Sequence, residues 1–529
     1  MQKPNRYNNF QLDNIYPYAL VLIVVFALII RFIGLSKGIW IDEYFSFRWD
    51  EGDNIGKLIL NLRDYDKPPF YFILLYLWTR ISHNEAFCRL LSVVFDIGTI
   101  IVVMRWMKQY SSLASILGGL YFATTPIMLR YSQEIRLYSL LIFATALAFF
   151  FASYTTKYPE KLSGYVGVAL SLTLAISTHL VAIMLIAPIF IFIVLMTVLE
   201  NKRNYLIKLI VAITVPCLAF LFFYFFYLTK LPDKTGDWWM PPVSWNLISS
   251  TAQYVFGLST LFFHSKIDNV ITFIFFAIVT IALIFGKWKQ NYPFLVAAII
   301  FWVEIIIYSV MKNPIFFYRI ILPGIVPFIG FLVLQITSIE IKNVRKASII
   351  LLAILSLIFT TNWVTVQAYR PVEYYKQTAQ LIESKLQPND LIVFYPGYIA
   401  DTVKYHFKQI HQDSEIVAWN ANDLSKMEFD INDKLKALNA KKLTNIFLVA
   451  RVDLVVKAEE YKNVILAIKS KIKSPLTIKS FLIISHDFSF VKNPKKPNIF
   501  MEILLTEFGQ PLLYKDKKSY VLSEYKLLF

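Results

Sequence analysis

Long apolar runs separated by short polar segments fill the chain as far as Arg370, and the pattern then changes. The runs fall at Ile15 to Gly34, Phe87 to Trp106, Ser112 to Leu129, Leu137 to Ser153, Tyr165 to Thr178, Leu180 to Leu199, Ile207 to Leu228, Val270 to Phe285, Phe294 to Val310, Phe317 to Gln335 and Ala347 to Trp363. A helix needs about 20 apolar residues to cross the hydrocarbon, and it satisfies its own backbone where no water is present. The pattern therefore predicts about eleven crossings. Two further runs, Pro69 to Ile81 and Thr251 to His264, are short and aromatic and read as helices lying along the interface.

Basic residues set the orientation. Lys3 and Arg6, Arg105 and Lys108, Lys157 and Lys161, Lys202, Arg203 and Lys208, Lys287 and Lys289, and Lys342, Arg345 and Lys346 all fall on one side of an eleven-span count. That side is expected to be cytoplasmic. The opposite, outer side then carries the loop around Asp42, the stretch Arg130 to Arg136, His179, the segment Lys230 to Trp245, the loop Lys312 to Arg319, and everything after Arg370. The membrane part is expected to span residues 1–369.

Residues 370–529 read as a separate small α/β domain outside the membrane. Glu373 to Leu386 alternates as a helix, while Leu391 to Pro396, Asn445 to Ala450 and Ile499 to Leu505 read as strands.

Composition agrees with the pattern. Of the 529 residues, 57% are hydrophobic, 16% aromatic and only 17% charged, which excludes an ordinary soluble protein. The formal charge of +17 belongs mainly to loops beside the spans, so it points to a membrane and not to a nucleic acid. Cys88 and Cys217 both sit in apolar runs and form no metal or disulfide pattern. The first run lacks a small-residue cleavage site and reads as an uncleaved first helix that also directs insertion. No Asn-x-Ser/Thr acceptor occurs, which favours a prokaryotic source.

Candidate chemistry gathers at the outer ends of the runs. Ile39 to Ser46 (IWIDEYFS) sets Asp42 and Glu43 side by side just past the first span, flanked by Trp40, Tyr44 and Phe45. A carboxylate at such a boundary stays ionised while lipid-borne groups come within reach. By itself such a pair is more often a solvated loop. Lys67 precedes Pro68-Pro69 and an aromatic run, where it is placed either to hold a lipid phosphate or to snorkel at the headgroups. Arg136, beside Glu134 and ahead of Tyr138, offers a planar fork to phosphate or carboxylate. Arg319, after Tyr318, closes another outer loop, and His179 sits in a tight turn where a hydrogen-bonded structural role is the commoner one. Glu304 is the acid identified inside an apolar run, which keeps an ion or proton pathway open. Asp64-Tyr65-Asp66 matches a DxD pattern without any accompanying phosphate loop and carries no weight.

Taken together, IDEYFS, KPPFYFILLYLW, RYSQEIRLYSLL, ISTHLVAIML and FYRIILPGIVPF resemble the bacterial lipid-phosphate-sugar-dependent glycosyltransferases of the GT-C fold. That group contains protein O-mannosyltransferases and aminoarabinose transferases, and the resemblance covers roughly residues 15–365. It implies a sugar donated from a polyprenyl-phosphate carrier to a lipid, glycan or protein acceptor at the outer face of the cell membrane, with inversion at the anomeric carbon. Asp42 would then be the catalytic base and Glu43 its acidic neighbour. Lys67, Arg136 and Arg319 would face the donor phosphate, with Tyr138, His179 and Tyr318 around the substrate. A divalent metal is left open, with Asp42 and Glu43 as its ligands. Many relatives carry His before the Pro-Pro pair, whereas this chain carries Lys67, as the aminoarabinose-transferase branch does. Two alternatives stand beside this reading: a polymerase or ligase of lipid-linked glycans, and a transporter or flippase built on Glu304.

Overall fold

The structure is a computed structural model that describes residues 6–47, 54–63, 68–199, 206–226, 240, 242–258, 265–365, 368, 375–387, 390–395, 397–407, 415–418, 445–452, 477–484 and 524–527. The chain divides into two compact units. One comprises Met1–Ser36 with Phe45–Tyr369, the other Lys37–Tyr44 with Arg370–Phe529.

The described helices are, in order, α1 (Arg6–Phe32), α2 (Ile41–Phe47), α3 (Ile55–Arg63), α4 (Phe70–Thr79), α5 (Glu85–Lys108), α6 (Ser112–Thr124), α7 (Pro126–Ser132), α8 (Tyr138–Lys157), α9 (Leu162–Thr178), α10 (Ile186–Leu199), α11 (Leu206–Phe226), α12 (Trp245–Val255), α13 (Ser265–Phe285), α14 (Trp288–Met311), α15 (Ile325–Ser338), α16 (Lys342–Thr365), α17 (Tyr375–Glu383) and α18 (Ala400–Tyr405). Each of the eleven apolar runs corresponds to a helix or a helix pair, so the protein is a multi-pass membrane protein. Seven helices among the described residues are long and apolar enough to cross a membrane, and the bent pair α6 and α7 makes an eighth. The helical stretches 162–178, 269–285 and 322–338 are apolar but shorter. Of the two short aromatic runs, Pro69 to Ile81 forms the ten-residue α4. The second forms α12, which starts earlier, at Trp245, because Ser244 caps it by accepting from the Leu247 amide at 3.2 Å. Residues 259–264 of that run lie outside the described residues.

In lipid the spans gain little from excluding water, so close packing and hydrogen bonds must hold them. Gly119 lets α6 meet α5, since a β-carbon there would lie 2.5 Å from Met104 Cγ. Gly167 does the same for α9 against α8, with Phe151 at 2.3 Å. Trp106 is fully buried between the rings of Phe149 and Phe294, and its indole N–H donates to Ser153 Oγ at 2.6 Å. Large apolar side chains on α1, α11 and α13, among them Leu22, Phe222 and Phe273, point outward as lipid contact requires.

The bend between α6 and α7 is 61° and has an identifiable cause. Pro126 has no N–H to give the Phe122 carbonyl, and the break also leaves the Ala123 carbonyl without its ladder partner. The Arg31 guanidinium supplies both bonds, at 3.2 Å to Phe122 O and 3.0 Å to Ala123 O. Its charge is balanced by Asp96 of α5, to which Arg31 Nε donates. Asp96 thus corrects the expectation that Glu304 is the acid inside an apolar run: it lies in the second run and is 4% exposed. Trp363 of α16 donates to the Ile30 carbonyl at 3.2 Å, bringing a fourth span to the same point.

In the second unit the described strands are β1 (Leu391–Tyr395), β2 (Glu415–Ala418), β3 (Asn445–Val452), β4 (Thr477–Ile484) and β5 (Glu524–Leu527). They form one sheet in the order β2-β1-β3-β4-β5, parallel except for β5. The continuous apolar character of LIVFY and NIFLVA is that of parallel strands buried on both faces. Within this sheet Leu391 to Phe394, Phe447 and Val449 are buried. Ile499 to Leu505, expected as a strand, lies outside the described residues.

Removing one member of the buried pair should cost far more than removing both. Asp96→Ala is expected to destabilise the protein by about 3–5 kcal/mol because it strands a buried guanidinium. The double variant Arg31→Met/Asp96→Leu should recover part of that loss, as read by thermal unfolding of detergent-solubilised protein.

Candidate active site

The acidic pair opens α2, and the two carboxylates have different surroundings. Glu43 is 1% exposed, and its Oε2 accepts the backbone N–H of Trp40 at 3.4 Å, the reach-back of an N3 acid to its N-cap. Asp42 is partly exposed. Glu43 therefore has a structural task at the start of α2.

This stretch belongs to the second unit, and α17, α18 and their flanks hold it there. The His406 ring meets the Ile39 carbonyl at 2.9 Å and is 8% exposed. A carbonyl can only accept, so Nε2 carries the proton. The rings of Tyr44 and Tyr405 lie 6.0 Å apart. Gly38 lies so close to Lys376 that a β-carbon would approach the Lys376 Cβ to 2.6 Å. Sequence reading had assigned no task to His406, because a histidine about 360 residues downstream carries no local signal of what it touches.

In the first unit the remaining candidates form a second constellation. After α7 the chain bends through residues 133–137, and Arg136 on this bend is 8% exposed. Its guanidinium lies 5.6 Å from the Tyr138 ring centre, and Nη1 reaches Ser46 Oγ at 3.4 Å. Tyr138 lies 4.9 Å from Tyr131 and 6.3 Å from His179, ring to ring. His179 Nδ1 accepts the Val181 amide at 3.1 Å and caps the turn that follows it.

Arg319 is 8% exposed and so does not face lipid; its guanidinium sits 5.4 Å from the Phe317 ring. The rings of Phe317 and Tyr318 lie 4.4 Å apart, as do those of Tyr318 and Tyr254. Arg130 joins the two groups. It pairs with Glu134 at 2.9 Å, donates to the Tyr254 hydroxyl, and lies 5.6 and 5.9 Å from the Tyr254 and Tyr318 rings.

Arg136, Tyr138, His179, Tyr318 and Arg319 are thus linked through Arg130, Tyr131 and Tyr254. Lys67 lies outside the described residues. Arg130 and Tyr254 were not singled out from sequence. An i,i+4 Arg–Glu pair spanning the end of α7 was the available signal for Arg130, and nothing local pointed to Tyr254.

Among the described residues no three His, Cys, Asp or Glu side chains gather closely enough to hold a metal ion. Asp42 and Glu43 were the two acids considered for one, and Glu43 is already engaged by the Trp40 amide. What the arrangement offers is a partly exposed carboxylate in one unit and, in the other, two largely buried guanidinium groups within an aromatic setting.

Comparison with known proteins fixes the class. Residues 66–223 match the family model for dolichyl-phosphate-mannose-protein mannosyltransferases. The chain is a glycosyltransferase of the GT-C fold. The apo structure of ArnT from Cupriavidus metallidurans is similar with a TM-score of 0.52 at 11% identity, over 96% of this chain and 97% of that one. The same protein bound to undecaprenyl phosphate gives 0.49 at 12% identity over the same shares. The Archaeoglobus fulgidus oligosaccharyltransferase tethered with an acceptor peptide gives 0.46 at 11%, over 76% of this chain and 64% of that one. No curated protein matches the sequence. At such identities the likeness is one of fold, and the matched family segment of this glycosyltransferase contains Arg130, Arg136, Tyr138 and His179.

The hold on the acidic loop is open to test. His406→Phe keeps a ring but removes the donor to Ile39 O, a loss of about 1 kcal/mol. Amide exchange across residues 37–44 should accelerate in that variant while exchange in α8 and α9 stays unchanged.

Proposed function

We propose that the protein transfers a sugar from a polyprenyl-phosphate carrier to a lipid, glycan or protein acceptor at the outer face of the cell membrane, inverting the anomeric carbon. The observation that carries the reading is the family match over residues 66–223, because that family is described by a lipid-phosphate sugar donor and the matched segment holds the buried Arg136 with Arg130 near it. Burial without loss of charge suits a phosphate partner. Arginine stays protonated, and its planar fork matches phosphate oxygens two at a time.

The chemistry needs two things. The acceptor hydroxyl must give up its proton as its oxygen attacks the anomeric carbon, and the bond from that carbon to the phosphate oxygen must break with its electron pair leaving on the phosphate. Asp42 is the base in this reading, since it is the more exposed of the two acids while Glu43 holds the start of α2. A placed general base contributes about 10²–10⁴-fold. The leaving phosphate is already anionic and needs cations rather than an acid, and Arg136, Arg319 and Lys67 supply them. Tyr138, Tyr318 and His179 line and support the pocket.

In this reading the chemistry lies on the non-cytoplasmic side, together with residues 370–529, which the distribution of basic loops supports. The transporter reading would rest on Glu304, which is half-buried and whose Oε2 has no hydrogen-bond partner among the described residues. The candidate polar groups Asp42, Arg136 and Arg319 instead sit at the ends of apolar runs and not midway along them, which favours a transferase over a transporter.

Three outcomes test the proposal. Asp42→Asn should lower transfer from a polyprenyl-phosphate sugar by at least about 10²-fold while donor binding persists, and near-normal transfer by folded Asp42→Asn rejects the base assignment. Lys67→Ala should weaken donor binding as well as turnover. Single cysteines placed at Asp50 and Lys404 should react with an impermeant thiol reagent in intact cells, and protection until lysis would overturn the orientation.

A further inference from the structure

The buried polar residues of span α5 include three that reach other segments and that the transfer chemistry does not use: Arg89, Ser92 and Asp96, exposed at 0%, 0% and 4%. Their spacing of i, i+3 and i+7 puts them on one face of the helix over about 10 Å of its length. Each meets a different part of the chain. Arg89 Nη1 donates to the Leu35 carbonyl at 2.6 Å. Ser92 Oγ donates to the Glu134 carbonyl at 2.6 Å and stands 3.4 Å from that of Arg136. Asp96 accepts from Arg31.

The stripe thus grips two segments at once. One is residues 31–36, from which the chain runs directly into the acidic stretch. The other is the bend at 133–137 that bears Arg136. A direct link closes the arrangement, because Gln133 Nε2 donates to the carbonyls of Arg31 at 2.8 Å and Ile33 at 2.6 Å.

We infer that the Arg89–Ser92–Asp96 face of α5 is a positioning device, which fixes the bend carrying Arg136 and the lead-in to the acidic loop so that the phosphate-binding cation is preset before the donor arrives. None of the three needs to touch the donor. The bend lies outside any helix, and its backbone bonds include Gln133 N to Arg130 O at 3.0 Å, Glu134 N to Tyr131 O at 3.4 Å and Arg136 N to Glu134 O at 2.7 Å. The Ser92 hydroxyl converges on the same Glu134 carbonyl that accepts from Arg136 N. Presetting matters because a guanidinium that must first be ordered gives up part of its binding energy to that ordering. A hydrophobic α5 would pack equally well in lipid but would give up the bonds to the Leu35 and Glu134 carbonyls.

This inference rests on the donor reading above, and the test separates the two. Ser92→Ala removes one hydroxyl and no charge, so it tests position with the least risk to folding. Ser115→Ala is the matched control: Ser115 is equally buried and its hydroxyl donates to a span carbonyl, Met104 O, at 2.6 Å, away from the bend. Undecaprenyl phosphate binding to each purified full-length variant is measured alongside hydrogen exchange in the ligand-free protein. Ser92→Ala should bind the probe about fivefold more weakly or worse, and exchange should accelerate in peptides covering residues 133–137. Ser115→Ala should match wild type in both. Binding and exchange equal to wild type in Ser92→Ala overturn the inference, as does an equal loss of binding in Ser115→Ala. Should wild type fail to bind the probe at all, the donor reading falls, and the positioning claim is decided by the exchange at 133–137 alone.

Discussion

The helix break beside the proposed site depends on one buried guanidinium. Pro126 breaks a membrane helix and frees two carbonyls in a region where no water can satisfy them, each a cost of several kcal/mol if left alone. Arg31 answers both, and Asp96 balances its charge. In a bilayer a helix break survives only where protein groups re-satisfy the backbone. Here the group that does so sits at the last turn of α1, so the break, the end of α1 and α5 are fixed to one another. The bend that follows α7 inherits that fixed point and carries Arg136.

A division of labour between the two units follows from the same economy of bonds. The first unit supplies a rigid, largely buried arginine and aromatic cluster made of span ends. Lys37–Tyr44, with its two acids, clusters with the C-terminal segment, where His406, Tyr405 and Lys376 hold it. In the proposed reaction, the unit that contains the sheet would hold the base. Glu43 is consumed locally in starting α2, which explains why two adjacent carboxylates need not be chemically equivalent.

The bundle was legible in the sequence because span length is an averaged property that many residues report together. Eleven apolar runs gave eleven helices or helix pairs, and the five short motifs pointed to the GT-C fold that the comparisons show. What the sequence concealed are the single polar residues inside those runs. Arg31, Arg89 and Asp96 are single charges inside otherwise apolar windows, yet they hold spans together near the proposed site. Their partners are mostly backbone carbonyls, which leave no trace in side-chain patterns. Tyr254 and His406 were hidden for a related reason: each acts at a sequence separation of more than a hundred residues, through contacts that only the fold creates. Glu304 was conspicuous because it stood alone, and Asp96 passed unnoticed although it is the more deeply buried acid.

The central claim is that sugar leaves a polyprenyl phosphate directly for an acceptor hydroxyl, in a single displacement. The most direct measurement is the anomeric configuration of the product, determined by nuclear magnetic resonance after the purified protein is given polyprenyl-phosphate sugars of defined anomeric form with an acceptor-containing membrane extract. The account predicts transfer with the configuration inverted relative to the donor. Retention of configuration, which would require a covalent glycosyl-enzyme or another two-step route, would contradict it.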